Sequence, residues 1–218
     1  MNCLFISSPN IPVPHAKSLV DGIGNQNVTK KYYDDWATNY DITLKKWKYK
    51  APLKAVSVLL NIRKKFDFCL DLACGTGMFA EEIKKQFKNI TIDGCDISGH
   101  SLKIAKKKQI YRKLFKNSFE KKINLSHQYD VVSMIGSMTY CKKPKVLFSL
   151  VNKYLKKKGI FIFTHRIDLW QKQNFDKLIN EFKNLFVVEH RSRPLNYLPL
   201  NSDFSNQVKI RIIVLKKI

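Results

Sequence analysis

The segment LDLACGTG, Leu70 to Gly77, combines a carboxylate with a turn that contains two glycines. Gly75 and Gly77 can adopt positive backbone angles and let a ligand approach the main chain closely. Asp71 precedes this glycine pair by four residues, and Asp96 follows it by about twenty. Acidic side chains at these spacings favour a ligand that carries positive charge or a ribose diol.

Three ligand classes compete for such a turn. A triphosphate site requires Gly-x-x-x-x-Gly-Lys-[Ser/Thr], and no lysine follows Gly77. A dinucleotide site requires Gly-x-Gly-x-x-Gly, for which Ala80 in the third position is a tolerated variant. Asp71 disfavours both classes, because its carboxylate would repel a phosphate. S-adenosylmethionine has an ammonium, a sulfonium and no phosphate, and Asp96 stands where a ribose-binding carboxylate is expected.

The elements that would position these residues alternate between strand and helix. Apolar runs predict five strands, at 66–73, 90–95, 113–117, 130–135 and 160–164. Between them we expect a helix on Phe79, Ile83 and Phe87, and another capped by Ser98. A third should run from Pro144 to Leu155, stop at Gly159, and bury Val146, Leu147, Leu150, Val151 and Tyr154.

The C-terminal part of the chain has a different pattern. A helix is predicted at 169–182, followed by strands at 186–191 and 208–215 that would pair antiparallel at the sheet edge. The whole pattern predicts an α/β fold: a doubly wound, Rossmann-like, mostly parallel sheet with an antiparallel C-terminal hairpin and helices on both faces.

One domain is expected at residues 29–218, since 218 residues with 44% apolar content can bury one substantial core. Prolines indicate an irregular leader at 1–28. The region 29–65 is predicted as a helical cap on a core at 66–218. One helix face of the cap carries Tyr33, Trp36, Ala37 and Tyr40, and a helix after Pro52 would bury Ala55, Val56, Leu59 and Leu60.

Several segments resemble class I S-adenosylmethionine-dependent methyltransferases. LDLACGTG resembles their first motif, DGCDIS their second, and DVVSMIGSM the segment at the fourth strand. The resemblance covers about residues 30–218. YDDWATNYD, KYKAP and RPLNYLPL resemble more narrowly the Williams-Beuren syndrome chromosome region methyltransferase-like group. The resemblance implies a seven-stranded sheet whose last pair is an antiparallel hairpin.

The resemblance also implies which residues contact the cofactor. The methionine portion would lie against Asp71, Ala73, Gly75, Thr76 and Gly77. Asp96 would hold the ribose, Ile97 the adenine, and Ile135 and Gly136 the floor near the methyl group. Ser118, beside Asn117, stands where the family usually has an acidic residue for the adenine amino group. Tyr33, Trp36 and Tyr40 would either close the pocket or pack in the core.

Methyl transfer requires alignment more than acid–base catalysis, because the sulfonium already provides the leaving group. His165, close to Arg166 and Asp168, follows the fifth strand and is either a general base or a structural histidine. We expect an O, N or S nucleophile on a small molecule as the acceptor. The exocyclic amines of bases are disfavoured, since IGSM replaces the Asn-Pro-Pro-Tyr type of motif.

The formal charge of +23 and the pI near 9.8 permit another partner. Such a field could attract RNA or another polyanion, yet lysine enrichment by compositional bias gives the same charge. The densest region, 103–122, has nine basic residues and one acidic residue, with Tyr111, Phe115 and Phe119 as its few aromatics. The sequence is therefore also compatible with an RNA methyltransferase.

Two non-methylating functions are weighed as well. A non-catalytic cofactor-binding protein is allowed by Ser118 and the lack of an evident base, whereas an NAD-dependent oxidoreductase is opposed by Asp71. The five cysteines lack metal-ligand spacing and are expected to be reduced: Cys3, Cys69, Cys74, Cys95 and Cys141. We expect no metal, no membrane span and a cytoplasmic location. The sequence leaves the oligomeric state open.

Overall fold

The computed structural model describes residues 22–201, 204 and 207–218. Residues 1–21, which include most of the predicted leader and Cys3, lie outside this part. The strands are β1 (Phe68–Leu72), β2 (Thr91–Asp96), β3 (Tyr111–Lys116), β4 (Tyr129–Met134), β5 (Leu155–Arg166), β6 (Phe186–Arg191), β7 (Leu195–Asn196) and β8 (Lys209–Lys217). The α-helices are α1 (Gln26–Trp36), α2 (Tyr40–Lys46), α3 (Ala51–Ile62), α4 (Met78–Gln86), α5 (Gly99–Lys107), α6 (Pro144–Tyr154), α7 (Ile167–Trp170) and α8 (Phe175–Glu181).

The sheet has the order β3-β2-β1-β4-β5-β8-β6, with the short β7 paired to β8. Strands β1 to β5 are parallel, and β8 is antiparallel to both β5 and β6. The predicted Rossmann-like α/β fold with its antiparallel C-terminal hairpin is confirmed. The two residues of β7 are an addition to the expected seven strands.

Strand β1 lies between β2 and β4, so the carboxyl ends of these three strands meet at one edge of the sheet. Asp71 is in register with Gly94 on one side and with Ser133 on the other. The direction in which the chain adds strands to the sheet reverses between β1 and β4. Open α/β sheets bind ligands at such a point.

Apolar side chains cover both faces of the sheet. One face packs against α6 and α8 through residues that include Leu147, Phe148 and Phe161. The other face packs against α3 and α4 through Leu59, Phe79 and Ile83. Two opposed apolar faces explain why the central strands are apolar almost throughout rather than alternating.

The N-terminal helices form a third cluster around Trp36, Leu44 and Trp47. Helix α1 begins at Gln26 rather than at 29, because the Asn25 side chain caps the backbone N–H groups of residues 27 and 28. The predicted leader at 1–28 is thus too long at its C-terminal end. The helix after residue 50 is placed as expected and buries Ala55, Val56 and Leu59, while Leu60 is only partly buried.

Helix α6 and its exit differ from prediction. Val146 is 42% exposed, and Phe148 is buried instead. The helix ends at Tyr154, before Gly159. Gly159 therefore does not stop the helix but lies within β5. A Cβ atom on Gly159 would lie 2.8 Å from the Lys156 carbonyl oxygen, so glycine serves a close backbone approach.

The helix predicted at 169–182 is interrupted. Helix α7 ends at Trp170 and α8 begins after Asn174, which has a left-handed backbone conformation with φ 51°. The break lets the Trp170 and Phe175 rings pack together at 5.2 Å between centroids. Tertiary packing of these two aromatic rings accompanies the loss of the continuous helix.

The described residues contain no helix long and apolar enough to cross a membrane. Within the same part of the chain, no group of three or more His, Cys, Asp or Glu residues could hold a metal ion. The cysteines in this part are all free and buried: Cys69, Cys74, Cys95 and Cys141.

A buried carboxylate joins three strands of the sheet. Asp93 on β2 is 1% exposed and accepts hydrogen bonds from the Arg112 Nε at 3.0 Å and the Tyr129 hydroxyl at 2.6 Å. Burial by itself would raise the pKa of Asp93, but the hydrogen bonds from Arg112 and Tyr129 lower it below its usual value. The ionised carboxylate therefore stabilises the pairing of β2 with β3 and the contact between β2 and Tyr129 of β4.

We predict that Asp93→Asn lowers the free energy of unfolding by about 2 kcal/mol, because an amide cannot accept all of these donors and leaves Arg112 without its anion. Denaturant unfolding at pH 7 measures the change. Asp67→Asn, at an exposed position just before β1, is the matched control and should change stability by less than about 0.5 kcal/mol. Equal effects of the two substitutions would contradict the assigned role of Asp93.

Candidate functional site

A cleft opens beyond the carboxyl ends of β1, β2 and β4, beneath the N-terminal helices. Backbone and side chains of three sets of residues line it. The glycine turn and the strand ends contribute Asp71, Ala73, Cys74, Gly75, Thr76, Asp96, Ile97 and Ile135. The N-terminal region contributes Thr29, Tyr33, Tyr40, Tyr49 and Pro52, and the remaining wall consists of Met78, Phe79, Ser101, Phe119, Ser137 and Tyr140.

The turn after β1 has an unusual backbone. Ala73, Gly75 and Gly77 all have positive φ, at 53°, 54° and 93°. Gly77 does not line the cleft but is the N-cap of α4, and a Cβ there would lie 3.0 Å from the Tyr111 ring. The glycines therefore allow both the tight turn and the close packing of the helix on β3.

Asp96 connects two loops at the edge of the cleft. Its Oδ2 accepts the Gly75 N–H at 2.9 Å, and its Oδ1 accepts the Ser98 N–H at 2.8 Å. Burial raises the pKa of this carboxyl above its usual value, despite the hydrogen bonds that stabilise the anion. The sequence pointed to Asp96 as a ligand contact, and the structure shows that it also holds the glycine turn.

Asp71 is buried, whereas Asp96 is half-buried, and Asp71 accepts hydrogen bonds from the Tyr111 hydroxyl and the Ser133 hydroxyl, each at 2.8 Å. Burial raises its pKa to about 7, against the two hydrogen bonds that lower it. Among the described residues, no lysine or arginine forms an ion pair with Asp71 or Asp96. This part of the chain thus supplies one buried and one half-buried carboxylate to the site without a cation to pair with them.

Sequence reasoning missed Tyr111 and Ser133 as partners of Asp71. The predicted third strand began at residue 113, whereas β3 begins at Tyr111. Side chains alternate along β4, so Ser133 could have been predicted to lie beside Asp71 if the pairing of β4 with β1 had been known.

Polar contacts fasten the N-terminal helices over the cleft. Asp34 of α1 accepts the Ser98 hydroxyl at 2.6 Å and the His100 N–H at 3.2 Å, at the N-terminus of α5. Asp41 of α2 accepts a hydrogen bond from the Thr76 hydroxyl and forms an ion pair with Lys108 at 2.6 Å. These contacts were not predicted, because they join segments more than thirty residues apart.

Tyrosines form one wall of the cleft, called here the tyrosine wall: Tyr33, Tyr40, Tyr49 and Tyr140. The Tyr33 hydroxyl donates to the Tyr140 hydroxyl at 3.1 Å, and Tyr40 packs edge-on against Tyr33 at 5.9 Å. Burial raises the pKa values of Tyr33, Tyr40, Tyr49 and Tyr140 above the usual value. These hydroxyls therefore remain protonated near neutral pH, so the tyrosines themselves add no charge to the cleft.

Four further residues that were predicted as contacts lie outside the cleft wall. Trp36 is 5% exposed and packs beneath Tyr40 in the N-terminal cluster. The Ser118 hydroxyl accepts from the Gln26 side chain, and Asn117 bonds within its own loop. Gly136 donates its N–H to the Thr164 hydroxyl at 2.7 Å. Phe119, which was not predicted as a contact, reaches the cleft from the loop of Ser118.

His165 is not part of the cleft. It is 1% exposed, its Nε2 bonds to the Gln173 side-chain oxygen at 2.8 Å, and its ring packs on Phe175 at 4.1 Å. Burial lowers its pKa to about 4. The structure therefore contradicts the hypothesis of a general base and favours a structural histidine, because the His165 side chain points from β5 toward α7 and α8.

Comparison with known proteins agrees with this geometry. A family model described as a methyltransferase domain matches residues 70–161. An uncharacterised protein of Methanocaldococcus jannaschii is 36% identical over 62% of this chain and 50% of its own length. The malonyl-[acyl-carrier protein] O-methyltransferase of Halalkalibacterium halodurans is 27% identical over 59% of this chain and 49% of its own. The chain thus matches about half the length of these relatives.

Solved structures share the fold at low identity. The N-methyltransferase NodS from Bradyrhizobium japonicum WM9 has a TM-score of 0.60 and 11% identity, over 78% of this chain and 96% of that one. The plantazolicin methyltransferase BpumL has a TM-score of 0.60 and 16% identity, over 93% of both chains. The family match and the shared fold together support a methyltransferase domain that includes residues 70–161.

Proposed function

We propose that the protein is a methyltransferase that uses S-adenosylmethionine, releases S-adenosylhomocysteine, and methylates an O, N or S nucleophile of a small molecule. The observation that carries this proposal is a pair of carboxylates, the buried Asp71 and the half-buried Asp96, beside a glycine turn where the described residues supply no cation to pair with them. A ligand with an ammonium, a sulfonium and a ribose diol complements these groups. The S-adenosylhomocysteine present with NodS and with BpumL supports the same cofactor here.

The proposed cofactor would be held by residues that line the cleft. Asp71 and the backbone around Gly75 would hold the methionine portion, Asp96 the ribose hydroxyls, and Ile97 with Phe119 the adenine. When bound, the cofactor supplies an electrophilic methyl group on its sulfonium. The tyrosine wall of the cleft would align the acceptor and exclude water around it.

The side chains of the cleft wall limit which nucleophile the acceptor can present. Apart from Asp71, Cys74 and Asp96 near the glycine turn, the titratable side chains of the cleft wall are tyrosines. Because burial keeps those tyrosines protonated, they are poor general bases at neutral pH. The geometry therefore suits an acceptor that is already a nucleophile, such as a neutral amine or a carboxylate. The Halalkalibacterium relative is named an O-methyltransferase, which is compatible with the second.

The remaining sequence hypotheses have less support. The hypothesis of RNA methylation is supported only by the overall positive charge. Tyr111 donates a hydrogen bond to Asp71, and Phe119 lines the cleft, so these two rings do not form an exposed stacking surface. Membership of the Williams-Beuren syndrome chromosome region methyltransferase-like group stays a prediction, as does the division into a cap that ends at 65 and a core from 66.

We predict that calorimetric titration shows binding of S-adenosylmethionine and S-adenosylhomocysteine, and that Asp96→Asn weakens both at least tenfold. An amide has one acceptor oxygen and an NH2 donor, so it accepts only one of the two loop N–H groups that Asp96 accepts through separate oxygens, and it is a weaker acceptor for the ribose diol. Asp67→Asn is the control and should bind as the wild type does. No binding of either ligand to folded wild-type protein would contradict the proposal; binding without turnover on any acceptor would favour a non-catalytic cofactor-binding protein.

The raised pKa of Asp71 predicts a pH dependence of cofactor affinity. With a pKa of about 7, Asp71 is mostly neutral at pH 5.5 and half ionised at pH 7. A cationic ligand prefers the ionised carboxylate, so the affinity of the wild type for S-adenosylmethionine should rise several-fold over this interval.

Titrations of wild type and Asp71→Asn at pH 5.5, 6.25 and 7 measure this dependence. The asparagine oxygen can accept from one of the Tyr111 and Ser133 hydroxyls, its NH2 can donate to the other, and the side chain does not titrate. The rise in affinity should be smaller in Asp71→Asn. The same rise in both proteins would assign the titration to another group.

A further inference from the structure

A second groove lies behind one wall of the cleft and is bordered by three lysines. Lys48, Lys50 and Lys54 stand around an apolar floor formed by Ala51, Leu195, Pro199 and Ile210, with Asn196 at the edge. The lysines are exposed, while Ala51 and Ile210 are buried. A floor of this composition between positive side chains suits a ligand with an apolar segment and an anionic end.

The three lysines have no carboxylate partner within the described residues. None of them takes part in the ion pairs found there, although several lysines elsewhere, such as Lys30, Lys85 and Lys145, do. Helix α3 begins beside them with no acidic residue in its first turn and no side-chain cap. Its N-terminal partial positive charge adds to the field of the lysines rather than compensating it.

The groove and the cleft share a wall. Along the segment from residue 48 to 52, Tyr49 and Pro52 line the cleft, whereas Lys48, Lys50 and Ala51 line the groove. A second segment behaves in the same way. Leu195, Asn196 and Pro199 line the groove, whereas the Tyr197 ring packs edge-on against Tyr49 at 5.7 Å between centroids.

This shared wall places the lysines next to the tyrosine wall, where the proposed acceptor would lie. Tyr49 belongs to the tyrosine wall, and its hydroxyl lies near Gly136, beyond the carboxyl end of β4. Lys48 and Lys50, the residues on either side of Tyr49, line the groove instead of the cleft. A molecule that reached over Tyr49 would touch both regions.

We propose that this groove binds the anionic end of the methyl acceptor, a phosphate or carboxylate carried on an apolar segment. The inference rests on the proposed function, because it takes the cleft as the site of methyl transfer. The nucleophile would lie among the tyrosines, the apolar segment would cross the rim at Tyr49, and the anion would lie between Lys48, Lys50 and Lys54. The lysines would then position the acceptor and determine specificity.

Hexyl phosphate is the probe, with hexanol and inorganic phosphate as its two halves. We expect calorimetric titration to show that hexyl phosphate binds the wild type at least tenfold more tightly than either half. Neutralising the groove with Lys48→Gln, Lys50→Gln and Lys54→Gln together should weaken hexyl phosphate at least tenfold. The matched control, Lys64→Gln, Lys65→Gln and Lys88→Gln together, removes the same charge from exposed positions before β1 and β2. It should change the affinity less than threefold.

The outcomes separate this proposal from general electrostatics. Equal weakening by both triple variants would show that the net charge attracts the probe, and the proposal would be wrong. Inorganic phosphate that binds as tightly as hexyl phosphate would overturn the role of the apolar floor. S-adenosylhomocysteine is titrated in parallel into each protein: failure of that ligand alone would contradict the proposed cofactor, while loss of hexyl phosphate binding alone in the groove variant would support the groove.

Discussion

The carboxylate of Asp96 is the constraint on which the arrangement of the cleft depends. It accepts the Gly75 N–H of one loop and the Ser98 N–H of the next. Two turns that leave neighbouring parallel strands are thereby fixed to the same side chain. Without that bridge, the Gly75 N–H in the positive-φ turn would lose this hydrogen-bond partner, and the cleft would lose its defined floor.

In a chain with 40 basic and 17 acidic residues, carboxylates make many of the contacts that join the elements of the fold. Asp93 joins β2 to β3 and β4, and Asp130 accepts the N–H groups of Asp67 and Phe68 together with an ion pair from Lys156. Asp34 and Asp41 attach the N-terminal helices to the core. The excess positive charge is left on lysines that have no such role, and the groove of Lys48, Lys50 and Lys54 is where three of them surround an apolar floor.

Two parts of the cleft differ in chemical character. At the glycine turn, the carboxylates of Asp71 and Asp96 have raised pKa values that a cationic ligand would lower again. In the tyrosine wall, neutral tyrosines provide ring surfaces and hydroxyls but no ready base. This division is consistent with a reaction in which the leaving group is already activated and the protein contributes alignment.

The sequence by itself determined the α/β fold class, the five parallel strands in chain order, and the position of the glycine turn with Asp71 and Asp96. These features depend on local periodicity and short-range spacing. Periodicity did not suffice at 169–182, where the predicted helix is interrupted and Trp170 packs on Phe175. Only the tertiary structure decided that Tyr111 and Ser133 bond Asp71, that Phe119 enters the cleft, and that His165 is buried away from it. Those outcomes depend on which strands are neighbours and on which way each side chain points, and residues far apart in the chain settle both.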